Sequence, residues 1–231
     1  MKGIYLPEYQ VRAALDGRLK QFTKPLKSQP IDILPMNIPD KWVALMSRGP
    51  NAGCVFTSQY KVGVQYYVKE TWKIVEWDPE NGDWEIEYRS ECRAQFTCVE
   101  MEPDKENEYW EQCTDDCLKA GVPCDEESGY FLLDDKPVPT RWRSPITMPA
   151  WAARILVTPT EIVVRRVQDM TEQDAGKDGV QNLVGFTDPG YKHIKTKKEQ
   201  FIDLWNKQYP KTPWESNPWV VTYMVSVEVK K

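Results

Sequence analysis

The chain has 231 residues, of which 41% are hydrophobic, and this content supports a folded core and excludes global disorder. No run of about 18 apolar residues occurs, which excludes a membrane-spanning helix. The net charge of −5 conceals a separation, because residues 76–135 have a formal charge of −16 and the rest have +11. A basic body favours a polyanionic partner such as nucleic acid, and the alternative is a charged surface that only maintains solubility.

The predicted elements are strands with short helices between them. The N-terminal stretch has no apolar segment typical of a signal peptide, so we expect a cytoplasmic protein. In chain order the sequence predicts a short helix within 7–20 that ends at Gly17, strands at 65–75 and 83–90, a helix at 107–121, a turn at Asp134-Asp135, a strand at 153–170 broken at Pro159, helices at 172–178 and 197–209, and a closing strand at 219–229. This order is typical of a small mixed barrel in the α+β class.

The segment Thr140–Val157, "TRWRSPITMPAWAARILV", has unusual aromatic and cationic content for a connection. Pro145 and Pro149 exclude a regular helix there. A rigid loop of this kind can present tryptophan and arginine side chains for stacking on bases and binding phosphates. The alternative is that Trp142 and Trp151 fill the interior of the barrel.

Five of the six cysteines lie in the acidic segment. These candidate zinc ligands are Cys92, Cys98, Cys113, Cys117 and Cys124. The spacing Cys113-x3-Cys117 suits one half of a zinc site, but the spacing from Cys92 to Cys98 is looser than usual. Reduced thiols without a metal are the alternative in a cytosolic protein.

Five stretches in fixed order resemble phage and prophage proteins of the ASCH family. They are "VRAALDGRLKQFTKP" (11–25), "VGVQYYVKETW" (62–72), "WRSPITMPAWAARI" (142–155), "VQDMTEQDAGKDGV" (167–180) and "LWNKQY" with "WESNPWVVTYMVSV" (204–227). The resemblance implies a PUA-like barrel formed by residues 1–75 and 136–231. The change of charge, the clustered cysteines and the resumption of the family stretches at Trp142 together predict that residues 76–135 are a separately folded acidic insertion. Many such proteins are labelled "morphogenetic protein", so a phage structural or interaction role is one implied function, in an infected or lysogenic bacterial cell.

The same resemblance implies a ligand-binding cleft beside the barrel, for RNA, single-stranded nucleic acid or a modified nucleotide. The candidate binding residues are Arg12, Arg18, Lys20, Lys24, Lys69, Glu70, Trp72, Arg141, Trp142, Arg143 and Arg154. An inward-facing Glu70 has a structural alternative, an ion pair with Arg12 or Arg154.

Some ASCH proteins are N4-acetylcytidine amidohydrolases, in which the resemblance assigns catalysis to a lysine, a threonine and a glutamate. Direct counting from Gly17 puts Leu19 and Phe22 at the lysine and threonine positions. A shift by one residue would instead supply Lys20 and Thr23, with Asp178 at the glutamate position. Since leucine cannot activate a nucleophile, direct counting argues against an enzyme, and the sequence leaves both registers open.

Overall fold

The computed structural model describes residues 1–36, 41–45, 54–78, 83–90, 97–100, 103–125, 128, 130–133, 138–181 and 195–230. The strands are β1 (Lys2–Tyr5), β2 (Gln21–Pro25), β3 (Asp32–Pro35), β4 (Lys41–Leu45), β5 (Cys54–Thr57), β6 (Tyr66–Lys69), β7 (Trp72–Asp78), β8 (Asp83–Tyr88), β9 (Thr97–Glu100), β10 (Ile155–Arg166) and β11 (Trp219–Val229). The helices are α1 (Glu8–Leu15), α2 (Pro103–Lys119), α3 (Glu172–Lys177) and α4 (Lys197–Gln208). None of the helices described in these ranges is long and apolar enough to cross a membrane.

The chain divides into two compact units. Unit 1 comprises Met1–Leu6, Tyr66–Leu156 and Val229–Lys231, and unit 2 comprises Pro7–Gln65 and Val157–Glu228. Each unit therefore combines segments that are distant in the sequence.

Unit 1 is built on strand pairs and one long helix. β1 pairs with β6 in parallel, and β7, β8 and β9 form an antiparallel sheet. Alternate residues of β7 and β8 face inward, as the period of a strand requires. They contribute Trp72, Ile74, Trp84, Ile86 and Tyr88 to a buried cluster.

Residues of the acidic segment share this core with residues outside it. Trp84, Ile86 and Cys113 belong to the same buried cluster as Met148 and Ala152. The packing of this segment is therefore continuous with the loop that precedes β10. The domain boundaries at 75/76 and 135/136 stay a prediction.

Unit 2 contains the closing strand and the short helices. β11 lies between β10 and β2 and is antiparallel to β2, with Thr222 opposite Thr23. The strands β3, β4 and β5 form a separate antiparallel sheet. A second buried cluster, which includes Val167, Phe201 and Trp205, lies where α3 and α4 pack together.

Glycine permits two sharp helix ends in unit 2. α1 ends before Gly17, which has a φ of 69°. α3 begins directly after the N-cap Thr171, whose hydroxyl accepts a hydrogen bond from the backbone amide of Asp174. Beyond the other end of α3 lies Gly179, with a φ of 97°. A Cβ on Gly179 would lie only 2.7 Å from the Cβ of Ala13, so α1 and the end of α3 approach closely because this residue is glycine.

The α+β class and the four predicted helices are confirmed, but the barrel is not. None of the sheets that the described strands form closes into a barrel. Strands β3 and β5 lie at the ends of one sheet, and β7 and β9 lie at the ends of another, so each has one neighbour. A closed barrel has no such edge strands.

Two strand predictions were wrong in detail. β10 runs through Pro159 without a break, because proline removes one donor while its carbonyl still accepts a hydrogen bond, here from the Gly63 amide. The single strand expected at 65–75 is instead two strands, β6 and β7, separated at Glu70 and Thr71. The turn expected at Asp134-Asp135 lies outside the described residues.

Candidate functional site

Among the acids of unit 2 that the structure describes, Asp178 is the most deeply buried, with 0% exposure. It follows α3 directly and accepts hydrogen bonds from the Gln10 amide of α1 and from the Thr23 hydroxyl of β2, the latter at 2.7 Å. The Thr23 hydroxyl also lies 3.2 Å from that of Thr222 on β11. These contacts form a buried polar cluster, defined here as Gln10, Thr23, Asp178 and Thr222.

Burial is the main influence on the acidity of this cluster. It raises the pKa of Asp178 to about 7, against the lowering effect of the hydrogen bonds from Thr23 and Gln10. Burial also raises the pKa of Tyr9, and the nearby Asp178 carboxyl adds to that increase. The carboxyl group is therefore protonated at mildly acidic pH, when it can donate as well as accept a hydrogen bond.

An open depression of about 640 Å³ lies beside the end of α3 and will be called the basic depression. Its lining residues are Arg18, Lys20, Gln173, Gly176, Lys177, Val180, Gln181 and Lys197. The four cationic side chains come from three places: the turn after α1, the last turn of α3 and the first turn of α4.

Backbone contacts hold the cations of the basic depression in place. The Lys20 amide donates to the Lys177 carbonyl at 2.9 Å, so the turn after α1 is joined to α3. The Arg18 guanidinium donates to the Gly179 carbonyl at 3.2 Å and forms an ion pair with Asp16 at 2.6 Å. The side chains of Lys20 and Lys177 are exposed, and none of the ion pairs described in this unit involves them.

The residues at the two candidate catalytic registers point in different directions. Leu19 and Phe22 are buried in the core, and the Phe22 ring stacks on Tyr223 at 4.8 Å. Thr23, and not Phe22, meets Asp178. The register shifted by one residue therefore matches the observed contact between Thr23 and Asp178. The lysine of that register, Lys20, lies apart from this contact and lines the basic depression.

Glu70 and Arg154 form a buried ion pair in unit 1. Two guanidinium nitrogens of Arg154 donate to the two carboxylate oxygens of Glu70, at 3.1 and 2.9 Å. The Ser90 hydroxyl donates to the same carboxylate at 2.7 Å, and the guanidinium carbon lies 3.9 Å from the Tyr88 ring centroid. This is the structural bridge considered from the sequence, since both charges are already satisfied within the protein.

Other candidate binding residues of unit 1 also make internal contacts. The Arg143 guanidinium lies over the buried Trp72 ring at 5.3 Å, and Lys69 donates to the Ile146 carbonyl. Arg141 is exposed, donates to Gln112 and lies 3.7 Å from Asp116.

The two tryptophans of the 140–157 segment differ in exposure. Trp142 is 41% exposed, with the Lys73 ammonium 5.1 Å from its ring centroid. Trp151 packs edge-on against Trp72 and Tyr109. Of these two rings, Trp142 is therefore the more exposed.

Two further cations of unit 2 lie apart from the basic depression. Arg12 forms an exposed ion pair with Glu8, one turn away on α1. Lys24 lies on β2 beside the Tyr60 ring, in a different pocket.

The predicted zinc ligands are only partly described. Cys113 and Cys117 are buried on α2, and burial raises the pKa of the Cys113 thiol to about 11, which disfavours the thiolate that binds zinc. Cys124 is exposed. Cys92 and the side chain of Cys98 lie outside the described part of the chain, within which no group of three metal-ligating residues occurs.

Sequence reasoning did not single out Gln10, Lys177 or Lys197. Gln10 lies on the inner face of α1, where a polar residue among apolar neighbours signals a buried hydrogen bond. Lysines at helix ends are common for general electrostatic reasons, so the sequence carries no signal that distinguishes Lys177 and Lys197.

No family model, curated protein or solved structure matches this chain. The resemblance to ASCH proteins therefore stays a prediction.

We predict that Asp178→Asn changes the pH dependence of stability. The folded-state pKa of Asp178, about 7, lies above the usual value of an aspartate, so this group stabilises the fold at low pH and loses that effect as pH rises through 7. Wild-type stability should fall relative to the variant by up to about 1.4 kcal/mol per pH unit between roughly pH 4 and 7. Urea unfolding at a series of pH values measures this, and parallel curves for the two proteins would contradict it.

We also predict that Glu70→Ala destabilises the protein by about 3–5 kcal/mol, because the buried Arg154 charge loses its partner. The double variant Glu70→Leu, Arg154→Met should recover most of the loss, since it removes both charges. As a control, Arg12→Ala removes an exposed ion pair and should cost less than about 1 kcal/mol. Urea unfolding tests all three, and equal effects of Glu70→Ala and Arg12→Ala would refute the prediction.

Proposed function

We propose that this protein binds nucleic acid or a nucleotide, with phosphate groups held in the basic depression. The observation that carries this proposal is the convergence of Arg18, Lys20, Lys177 and Lys197 from three elements on one surface. A chance charge on a single helix would not produce this arrangement. Phosphate oxygens are the common partners of such cationic groups in proteins.

The openness of the basic depression favours a polymer backbone over a small enclosed ligand. Lys20 and Lys177 are exposed and can follow a flexible chain, while Arg18 is oriented by its contacts with Asp16 and the Gly179 carbonyl. Gln173 and Gln181 add hydrogen-bonding groups at the same surface. Single-stranded nucleic acid, with an accessible backbone, suits this surface best.

A stacking contribution is a separate component of the proposal. Single strands gain affinity when bases stack on exposed aromatic rings. The Trp142 ring in unit 1 is exposed, and the next residue, Arg143, is joined to Trp72 by two backbone hydrogen bonds. This makes Trp142 the aromatic candidate among the residues that the sequence singled out.

The salt dependence of RNA binding tests the proposal. Lys20→Ala and Lys177→Ala should each weaken binding of a single-stranded RNA and lower the slope of log affinity against log salt by about one, because each removes a phosphate contact. Lys211→Ala is the matched control, since this exposed lysine of unit 2 lies outside the basic depression. Fluorescence anisotropy with labelled RNA measures both quantities. Affinity that is constant across salt, or equal losses in all three variants, would refute the proposal.

A second candidate function, amidohydrolysis of an acetylated base, is favoured by one contact. The Thr23 hydroxyl donates to the Asp178 carboxyl at 2.7 Å, and a hydroxyl paired with a carboxylate can serve as nucleophile and base. Against this function, Thr23 is 5% exposed and Asp178 is fully buried, so a substrate carbonyl cannot approach the hydroxyl in this conformation. Binding is therefore the better supported function.

We accordingly predict no appreciable hydrolysis of N4-acetylcytidine. The assay is chromatographic detection of cytidine after incubation with the full chain. The prediction fails if turnover occurs and is abolished by Lys20→Ala and by Thr23→Ala, since those variants would identify the shifted register as catalytic. A Lys211→Ala control should then retain turnover.

A further inference from the structure

A second pocket in unit 2, of about 490 Å³, has a different character from the basic depression and will be called the Lys24 pocket. Its walls come from β2 and the turn that follows it, from β4, from β5 and the segment after it, and from β11. The lining residues are Lys24, Pro25, Leu26, Lys27, Ser28, Pro30, Ala44, Cys54, Phe56, Thr57, Ser58, Gln59, Val221 and Tyr223. None of them lines the basic depression.

The Lys24 ammonium is held against two aromatic rings, Tyr60 and Phe22, which are not themselves among the residues that line the pocket. It lies 5.2 Å from the Tyr60 ring centroid and 5.8 Å from that of Phe22, and it donates to the Tyr60 hydroxyl at 3.3 Å. Burial lowers the pKa of Lys24 to about 8. The protein thus keeps a partly dehydrated cation in contact with a cavity, where electrostatic interactions are stronger than in water.

The walls of the Lys24 pocket are amphipathic. Phe56 supplies a half-buried aromatic surface, and Thr57 and Lys27 supply exposed polar groups. Val221 and Tyr223 form the buried floor and are only 4% and 2% exposed. The Ser58 hydroxyl donates to the Tyr60 carbonyl and so has an internal role. Ligand pockets of a few hundred cubic ångströms commonly combine such an apolar wall with a few polar groups that fix orientation.

We propose that the Lys24 pocket binds a small planar organic anion, with its carboxylate or phosphate on the Lys24 ammonium and its ring against Phe56. A planar ring can use the aromatic wall, which a simple inorganic ion cannot. This site does not depend on nucleic-acid binding in the basic depression.

Proton uptake on binding follows from the geometry. An anion beside Lys24 favours its charged form, so binding above pH 8 requires that the amine takes up a proton. Affinity should be constant below about pH 7 and fall as pH rises through 8. Among the described residues, the other titratable groups that line or face the pocket are Lys27, Cys54, Tyr60 and Tyr223.

Calorimetric titration of the full chain with benzoate and phenyl phosphate tests the site, with benzyl alcohol as the neutral comparison. Lys24→Met keeps the length of the side chain and removes its charge, and Lys27→Met is the control at the exposed rim. We expect Lys24→Met to weaken binding of both anions by about tenfold, as for loss of a hydrogen bond to a charged group. Lys27→Met should change it by less than about threefold. Benzyl alcohol should bind more weakly than either anion and be insensitive to both changes.

The pH series uses benzoate, whose charge is constant above about pH 6. Adenosine 5′-monophosphate distinguishes between two classes of ligand. If it binds as tightly as phenyl phosphate, the ligand is a nucleotide, and if it binds more weakly, the ligand is a smaller aromatic anion. Either result supports the site. The proposal is overturned if neither benzoate nor phenyl phosphate binds, if Lys24→Met binds as the wild type does, or if benzoate affinity is unchanged through pH 8.

Discussion

The carboxyl group of Asp178 has no contact with solvent, and its requirements fix the geometry around it. Gln10 and Thr23 must reach it from α1 and β2, because a buried acceptor without partners costs about 1–3 kcal/mol. Gly179 then allows α1 to approach the end of α3. Together these contacts bring the turn after α1 against α3, and the Lys20 amide bonds to the Lys177 carbonyl. The cations of the basic depression, which repel one another, are thus held together by a buried polar cluster beneath them.

Unit 1 uses charge in the opposite way. The guanidinium of Arg154 and the carboxylate of Glu70 satisfy each other inside the protein, and Ser90 and Tyr88 complete their surroundings. Removing both charges should be nearly neutral, whereas removing one is severe. The basic and aromatic character of the 140–157 segment therefore has two origins. Arg143 and Trp151 stabilise the interior, and Trp142 remains at the surface.

Local signals in the sequence identified the elements better than their arrangement. The predicted helix end at Gly17 and the predicted helix start at position 172 both depend on local backbone chemistry, and both predictions hold. The break predicted at Pro159 was wrong, because a proline does not interrupt a strand at a position where only its carbonyl group forms a hydrogen bond. The sequence left two registers open, and only the one shifted by a residue places Thr23 beside Asp178. A shift of one residue along a strand changes which side chains face inward, so the sequence alone could not choose between them. Closure into a barrel depends on pairing between distant edge strands, and no local pattern encodes it.

The alternation of β2 explains how one short strand serves several kinds of chemistry. Gln21 and Thr23 face one side, where they donate to the Asp174 carbonyl and to Asp178. Phe22 and Lys24 face the other, beside Tyr60 and Tyr223. Because the period of a strand is two, a lysine that follows Thr23 must leave the polar cluster and enter the aromatic side. On that side the Lys24 ammonium is partly dehydrated and lines the Lys24 pocket. Lys20, which lies just before the strand, is exposed in the basic depression. The proposals for a polyanion in the basic depression and for a small anion in the Lys24 pocket both rest on this difference in environment between two lysines of the same segment.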